Sequence, residues 1–492
     1  MSDDDDRSSG EIEPPQFINL EPPRWYGRSI WTVTLFSLAF IFIMSFLSAW
    51  WIYGRPALFG VAFGVVVLLA ASGDRLMRAS TVTWLIALAA LALLLRLACV
   101  MLIPYLPCAD FKVYHDAGAV MAQTWTLGVR AAAGNSSYRC FLPPGQIFSM
   151  GVVYSLFGPH VLAAQILNII YSTLTVVGIW YLGRKMFGER IGRISAVLAA
   201  MLPSTIFGCM LLGAEVPEAF WLVLAMCFYV TAVERDHLLV PALLCGICLG
   251  VGSLIRPTYL LLPVPIGLHM LLSWGRARRA ILSAVIMSAG LAAVVAPWTY
   301  RNYLATGGFI VISSNAGGVL YSANNDKAQG AYTQEAWECV FDNSPDDLAL
   351  MRIGRERAFS WIKANPGRFT RLALQKFVLF WHTDKEIAWW AVYQTHEEHP
   401  RLGIPVKWRM RAQAGSTGYY VVMILAGALG VWRLRRQLRT NRSWMVIPIM
   451  CMYFTVVHMV FESQGKYHYM LVPFLCILAA LVVGKRKKIG HI

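Results

Sequence analysis

The chain alternates long apolar runs with short charged connections. A hydrocarbon core of about 30 Å is crossed by about 20 apolar residues in a helix. Runs of that kind lie near 29–52, 55–73, 80–104, 160–183, 191–210, 216–233, 238–255, 257–274, 280–299, 416–432, 444–461 and 467–484. They are continuous rather than alternating, so they predict helices and not barrel strands. Two shorter apolar stretches, 143–158 and 371–381, predict helices lying at the outer membrane surface. The fold class expected is an all-α polytopic membrane protein with about twelve transmembrane helices, outer-face juxtamembrane helices and a small extracytoplasmic helical domain.

Charge along the connections sets the expected orientation. Lys and Arg concentrate in 74–79, 184–190, 234–237, 275–279, 433–443 and the tail 485–492, with five Arg between Arg433 and Arg442. The short connections on the other side hold only Arg55, Arg256 and Lys466. By the positive-inside rule both termini are cytoplasmic. The opening MSDDDDRSSGEIEPP lacks the form of a cleaved leader, so the first run is expected to stay as an anchor. The expected parts are an acidic tail (1–28), two N-terminal spans (29–79), a transmembrane core (80–299) with a first outer loop (105–159), an extracytoplasmic domain (300–415), C-terminal spans (416–484) and a basic tail (485–492). No repeat of 20–50 residues is visible.

Composition agrees. Hydrophobic residues make up 57% and charged residues only 14%, against about 25% charged in soluble domains. The net charge of +16 is largely the cytoplasmic ring of Lys and Arg, so it reads as a topology signal and not as a nucleic-acid footprint. Of 27 Asp and Glu, eleven lie in the cytoplasmic tail and loops and eleven in 300–415. The five left are Asp110, Asp116, Glu215, Glu218 and Glu462, all at or near the outer mouth of a span. Ionisable groups at that depth are expensive and often functional. Basic residues accompany them: Arg96, Arg256, Arg301, Lys466 and His468. A guanidinium fork suits phosphate, although each cation taken alone is also explained by snorkelling to headgroups.

Five stretches resemble the GT-C superfamily of integral-membrane glycosyltransferases, in particular the bacterial branch of protein O-mannosyltransferase-like enzymes, aminoarabinose transferase and lipopolysaccharide galacturonosyltransferases. They are CADFKVYHDAGAVM (108–121), FLPPGQIFSMGVVYSLFG (141–158), YLGRKMFGERIGRISAVLAAMLPS (181–204), GVGSLIRPTYLLLP (250–263) and APWTYRNYLATGGFIVISSNAGGVLYSANNDKAQGAY (296–332). The likeness covers roughly 80–484, and the first two spans look like an addition before it. Where the protein mannosyltransferases carry an Asp-Glu pair, this chain has Asp110 followed by Phe111.

The resemblance implies the GT-C fold. It also implies sugar transfer from a polyprenyl-phosphate donor to a hydroxyl of an envelope glycolipid such as lipopolysaccharide, a glycan or a protein. The site would face the periplasm at the bacterial inner membrane, and the reaction would be a single inverting displacement. Such transfer needs a base for the acceptor proton, stabilisation of charge on the departing phosphate and an apolar groove for the lipid. By resemblance Asp110 is the base and Glu215 the second catalytic acid. Arg256, Arg301 and Lys466 are the donor phosphate candidates, and Tyr114, Asp116, Glu218 and His468 the acceptor or auxiliary residues. Glu215 and Glu218, at i and i+3, are expected to face one side.

Metal use stays open. Asp110, His115 and Asp116 lack a recognised ligand spacing. His382 with Asp384, and the cluster His396, Glu397, Glu398 and His399, are further candidates for a divalent ion; a solvated surface also explains the latter. The pair CGIC (245–248) reads as small-residue packing within a span. Cys108 and Cys140 bracket the first outer loop in a compartment that permits disulfides, and a bond between them is expected. The stretch 307–318 lacks a GK[ST] ending, so a nucleotide donor is not expected. Trp381, Trp389 and Trp390 suit sugar stacking and interfacial anchoring equally. Two other readings compete: a transporter or lipid-glycan flippase, which usually shows two similar halves, and an O-antigen ligase or polymerase.

Overall fold

The computed structural model describes residues 24–73, 78–126, 129–130, 137–234, 239–274, 277–393, 404–439 and 441–484. In chain order the helices begin with α1 (Arg24–Tyr53), α2 (Arg55–Ala71), α3 (Thr81–Leu102) and α4 (Ala109–Thr124). A two-residue antiparallel pairing of β1 (Val129–Arg130) with β2 (Ser137–Tyr138) follows. Next come α5 (Pro144–Phe157), α6 (Val161–Phe187), α7 (Glu189–Ala200), α8 (Pro203–Gly208), α9 (Glu215–Glu234), α10 (Leu239–Ile255), α11 (Pro263–Trp274) and α12 (Ala277–Thr306). The segment expected on the outer side, here called the outer segment, holds α13 (Ala316–Ser322), α14 (Gln334–Asp342), α15 (Asp347–Ala364), α16 (Pro366–Trp381) and α17 (Glu386–Tyr393). The chain then continues with α18 (Val406–Arg433), α19 (Arg435–Leu438), α20 (Val446–Val460) and α21 (Val472–Ala480).

Among the described residues, eight helical segments are long and apolar enough to cross a membrane. They are α1, α3, α6, α9, α12 and α18, together with α20 and α21 extended by flanking 3-10 turns. The helices α2, α10 and the stretch containing α11 are apolar but shorter. The protein is a multi-pass, helical membrane protein. The short stretches 143–158 and 371–381 form α5 and most of α16, and each helix opens on a proline at its first turn, where the missing N–H costs nothing. The expected limits near 300 and 415 fall inside helices: α12 continues to Thr306 and α18 starts at Val406.

The run 191–210 departs from a single span. It breaks at Met201–Leu202 into α7 and α8, because Pro203 cannot continue the backbone ladder. A break at membrane depth leaves carbonyls that need donors, and Arg96 supplies them from the neighbouring α3. Its guanidinium is fully buried and donates to Ala200 O (3.2 Å) at the end of α7, Thr205 Oγ1 (3.1 Å), Ser172 Oγ (2.7 Å) and its own Ala92 O (3.1 Å). The charge therefore sits at a helix C-terminus, where the peptide dipoles favour a cation. Arg96 is a structural joint of α3, α6, α7 and α8.

Close backbone contact fixes two other seams. A Cβ on Gly60 of α2 would lie 2.6 Å from Gly415 O of α18, and one on Gly418 would lie 2.7 Å from Ala57 O. The two helices thus meet through small residues, as membrane helices commonly do. In the CGIC segment a Cβ on Gly246 would come within 2.0 Å of Met287 O, which ties α10 to α12.

The first outer loop docks onto the outer segment through one carboxylate. Asp347 accepts from Arg139 N (2.7 Å), Cys140 N (3.2 Å) and Ser314 Oγ (2.6 Å). Around it Tyr138, Val340 and Leu350 form a small apolar core, packed by Phe141, Tyr321, Phe341 and Ile353. This docking overrides the expected disulfide: Cys108 and Cys140 are not bonded to each other. Cys140 Sγ is turned into the joint, 3.2 Å from Asn302 Oδ1.

Two outcomes follow from these joints. Arg96→Leu should cost about 3 kcal/mol or more, because several buried acceptors lose their donor. Arg96→Lys should cost less; thermal melting of the detergent-solubilised protein orders the three proteins. Unfolded but unreduced protein should take an alkylating reagent at both Cys108 and Cys140, and a linked peptide in mass spectrometry is the contrary result.

Candidate active site

Four segments distant in sequence meet on the same side of the bundle. Asp110 sits in the first turn of α4, which opens on Ala109 at φ 46°. Glu215 and Glu218 sit in the first turn of α9. Arg256 lies between α10 and a 3-10 turn that starts with Pro257. Lys466 belongs to the 3-10 turns Gly465–Leu471 that lead into α21. Proline after Arg256 and glycine before Lys466 keep both backbones out of a continuous helix, so both cations emerge from breaks.

Glu215 and Glu218 face one side, as their spacing predicts, and there both grip Arg256. Glu218 Oε2 lies 2.8 Å from Nε, and Glu215 Oε1 lies 3.4 Å from Nη2. The guanidinium also stacks on the Tyr467 ring at 5.0 Å. Burial alone would pull the Arg256 pKa down, but Glu218 and Glu215 outweigh it and hold the pKa above its ordinary value. Lys466 Nζ lies 3.7 Å from Asp110 Oδ2. The side chain of Lys466 is 9% exposed while that of Asp110 is 76% exposed, so the acid faces outward and the cation lies behind it. Tyr114, one turn along α4, is half-buried within electrostatic reach of Arg256, Glu215 and Asp110.

The structure adds residues that the sequence reading did not place here. Glu462 follows α20, and its Oε1 is hydrogen-bonded by the Tyr467 hydroxyl. Burial raises its pKa, with Tyr467, Lys466 and Arg256 opposing and Asp110 reinforcing the shift. From α17, Glu386 Oε2 accepts from Lys466 N (3.0 Å). Trp390 lies 6.0 Å from Lys466 Nζ and packs edge-on against Phe111 at 5.5 Å. Tyr332 lies near Asp110 and Glu462, its hydroxyl pKa pushed up to about 12, mainly by burial. Glu462 was visible in the sequence as one of the five outer carboxylates. Trp390 was visible as an aromatic suited equally to sugar stacking and to interfacial anchoring, whereas Glu386 gave no signal among the mixed charges of 300–415.

Three expected site residues are engaged elsewhere. Asp116 pairs with Lys112 at 2.8 Å on the exposed face of α4. Arg301 Nη1 donates to Arg139 O at 2.8 Å in the joint between the first outer loop and the outer segment, and its guanidinium lies over Trp298. His468 is fully buried: its Nδ1 meets Phe380 O, its Nε2 lies 3.4 Å from Asp384 Oδ1, and its ring stacks on Tyr420 and Trp381. That arrangement fastens α16 and α18 to α21. His115 bonds the Tyr154 hydroxyl at 2.7 Å. Among the described residues no group of three His, Cys, Asp or Glu is arranged to hold a metal ion. His396, Glu397, Glu398 and His399 lie outside the described residues.

Lys376 closes the outer flank. Its buried ammonium donates to Asn324 Oδ1 (2.8 Å) and Val460 O (3.0 Å), fastening α16 and the outer segment to the end of α20 just before Glu462. Burial pushes its pKa down to about 7. An apolar cavity of about 360 Å³ lies between α1, α16, α18, α20 and α21. On α20 it is lined by Met452, Thr455 and Met459, whereas Tyr453 and Phe454 turn the opposite face of that helix to Thr258 and Tyr259. The helix therefore stands between the cavity and Arg256.

Residues 142–300 match the model of the dolichyl-phosphate-mannose-protein mannosyltransferase family. No protein of curated function matches the chain in sequence. Among solved structures, the apo oligosaccharyltransferase of Archaeoglobus fulgidus is similar at 14% identity and a TM-score of 0.52, over 81% of this chain and 50% of that one. The AglB oligosaccharyltransferase of Archaeoglobus fulgidus, in complex with an inhibitory peptide and a dolichol-phosphate, matches at 14% identity and a TM-score of 0.50, over the same 81% and 50%. ArnT from Cupriavidus metallidurans, bound to undecaprenyl phosphate, matches at 16% identity and a TM-score of 0.42, over 82% and 78%. The chain spans about half the length of the oligosaccharyltransferases it matches. The family-model match and the likeness to the two oligosaccharyltransferase structures agree on the fold: the chain has the GT-C fold.

Proposed function

We propose that the protein transfers a sugar from a polyprenyl-phosphate donor to a hydroxyl of an envelope glycolipid, glycan or protein, at the outer face of a bacterial inner membrane. The observation that carries this reading is the pairing of an outward-facing Asp110 with a recessed Lys466, 3.7 Å apart, beside Arg256. That arrangement offers a base on the acceptor side and cations on the donor side. The complex of AglB with a dolichol-phosphate supports a lipid-phosphate ligand for this fold.

In this reading the acceptor hydroxyl approaches Asp110, which takes its proton as the new bond to the sugar forms. The bond between the sugar and the phosphate oxygen breaks in the same displacement, with inversion, and the lipid phosphate keeps the electron pair. Lys466 and Arg256 stabilise that charge. Glu218 takes Nε of Arg256 and Glu215 takes Nη2, which leaves Nη1 for a phosphate oxygen. Glu215 and Glu218 then act as positioning residues for the cation. Asp116, Arg301 and His468 support the loop, the outer joint and the core.

The test is transfer by the purified protein in lipid vesicles, using synthetic undecaprenyl-phosphate sugars. Asp110→Asn should lower kcat about 100-fold or more. Lys466→Met should lower kcat/KM by about tenfold or more, from loss of a charge-assisted contact. A protein that moves labelled lipid across the vesicle without transferring sugar is a flippase, and the transferase reading then fails. Normal transfer by Asp110→Asn removes the base assignment alone.

A further inference from the structure

The donor reading accounts for the cations of the cluster but leaves one acid unused. Glu462 lies in the connection between α20 and the turns that carry Lys466. One carboxylate oxygen, Oε1, takes the Tyr467 hydroxyl. The other, Oε2, is buried with no protein partner. The Tyr467 ring whose hydroxyl binds this carboxyl lies 5.0 Å from the Arg256 guanidinium and 5.5 Å from Lys466 Nζ, so the carboxyl stands at the edge of the cluster.

A buried, unpartnered carboxylate oxygen is costly unless something donates to it. Glu215 and Glu218 also present an unpartnered buried oxygen, but each carboxylate is already engaged by Arg256. Glu462 is held only by a neutral hydroxyl. The missing partner is a donor and carries no negative charge, because the Glu462 carboxylate itself and Asp110 nearby would repel one. A phosphate is therefore excluded at this point, whereas a sugar hydroxyl fits. A sugar linked to a phosphate seated on Lys466 and Arg256 extends only a few ångströms from it. Glu462, within reach of both cations and of Asp110, borders that space.

We infer that Glu462 is a specificity-determining residue that accepts a hydrogen bond from a hydroxyl of the transferred sugar, with Tyr467 as the positioning residue that fixes its other oxygen. This inference rests on the donor reading above. It assigns recognition of the phosphate and recognition of the sugar to different side chains on one turn. Lys466 and Arg256 read the phosphate common to every such donor. Glu462 reads the part that differs between donors. A site built around a substrate hydroxyl discriminates against analogues that lack it, since the acceptor is otherwise stranded.

The test is equilibrium binding to the full-length protein in nanodiscs. The probes are undecaprenyl phosphate and a panel of undecaprenyl phosphoryl glucose, galactose, mannose and galacturonic acid. Wild type should bind at least one sugar-bearing lipid more tightly than undecaprenyl phosphate. Glu462→Gln keeps the shape but replaces a charged acceptor with a neutral one. It should lose roughly tenfold in affinity for that lipid and nothing for undecaprenyl phosphate. Tyr467→Phe should show a smaller loss of the same kind, and Lys466→Met should weaken both lipids together.

If Glu462→Gln keeps the full preference for the sugar-bearing lipid, or weakens both lipids equally, the inference is overturned while the donor reading stands. A wild type that binds undecaprenyl phosphate with no gain from any sugar also overturns it alone. A wild type that binds none of these lipids overturns the donor reading and the inference with it.

Discussion

A cation can be kept in a low-dielectric site only if it is matched there, and Arg256 is matched by two glutamates from another helix. Separating that group from water would otherwise cost several kcal/mol. The match requires α9 to begin where α10 ends, so that Glu215 and Glu218 reach the break before Pro257. It also requires the turns before α21 to lay the Tyr467 ring against the guanidinium. Once Tyr467 is fixed, Lys466 just before it and Glu462, which its hydroxyl bonds, are fixed too. The polar cluster is thus assembled around one buried charge, and the helix ends are arranged to serve it.

The same rule acts at Arg96, with a different result. There the counter-groups are carbonyls and hydroxyls, one carbonyl at the end of the broken helix among them, and not carboxylates. Both arginines look alike in sequence, each a lone cation in or beside an apolar run. What separates them is whether carboxylates lie near in space. Arg256 has two, and it stands in the candidate site. Arg96 binds a structural seam.

Much of the fold was legible because continuous apolar runs have few alternatives in a membrane. The short stretches forming α5 and α16 were separable from spans by length, and Glu215 with Glu218 by helical spacing. The break within 191–210 was not legible, since Pro203 alone does not reveal that a buried guanidinium will satisfy the freed carbonyls. The Cys108–Cys140 bond failed as an expectation because loop bracketing says nothing of Asp347, more than 200 residues away, which draws the backbone of Cys140 aside. His468 and Asp116 were chosen as polar residues near a span end. One proved to be a stacked core histidine and the other an exposed pair, a distinction made by tertiary burial and not by composition. Glu386 was hidden in a polar segment, and Trp390 was an aromatic with two equal readings until the fold brought both to Lys466.

The Asp347 joint has a mechanical corollary. One carboxylate holds two successive backbone amides of the first outer loop and a serine of the outer segment. The loop that starts at Asp110 is therefore hinged to the membrane at one end and welded to the exterior lobe at the other. The lobe cannot swing away as a separate cap without dragging the strand Ser137–Tyr138 with it. Between α4 and α17 the contact is aromatic instead, Phe111 edge-on to Trp390, with the Lys466 ammonium 6.0 Å from the Trp390 ring.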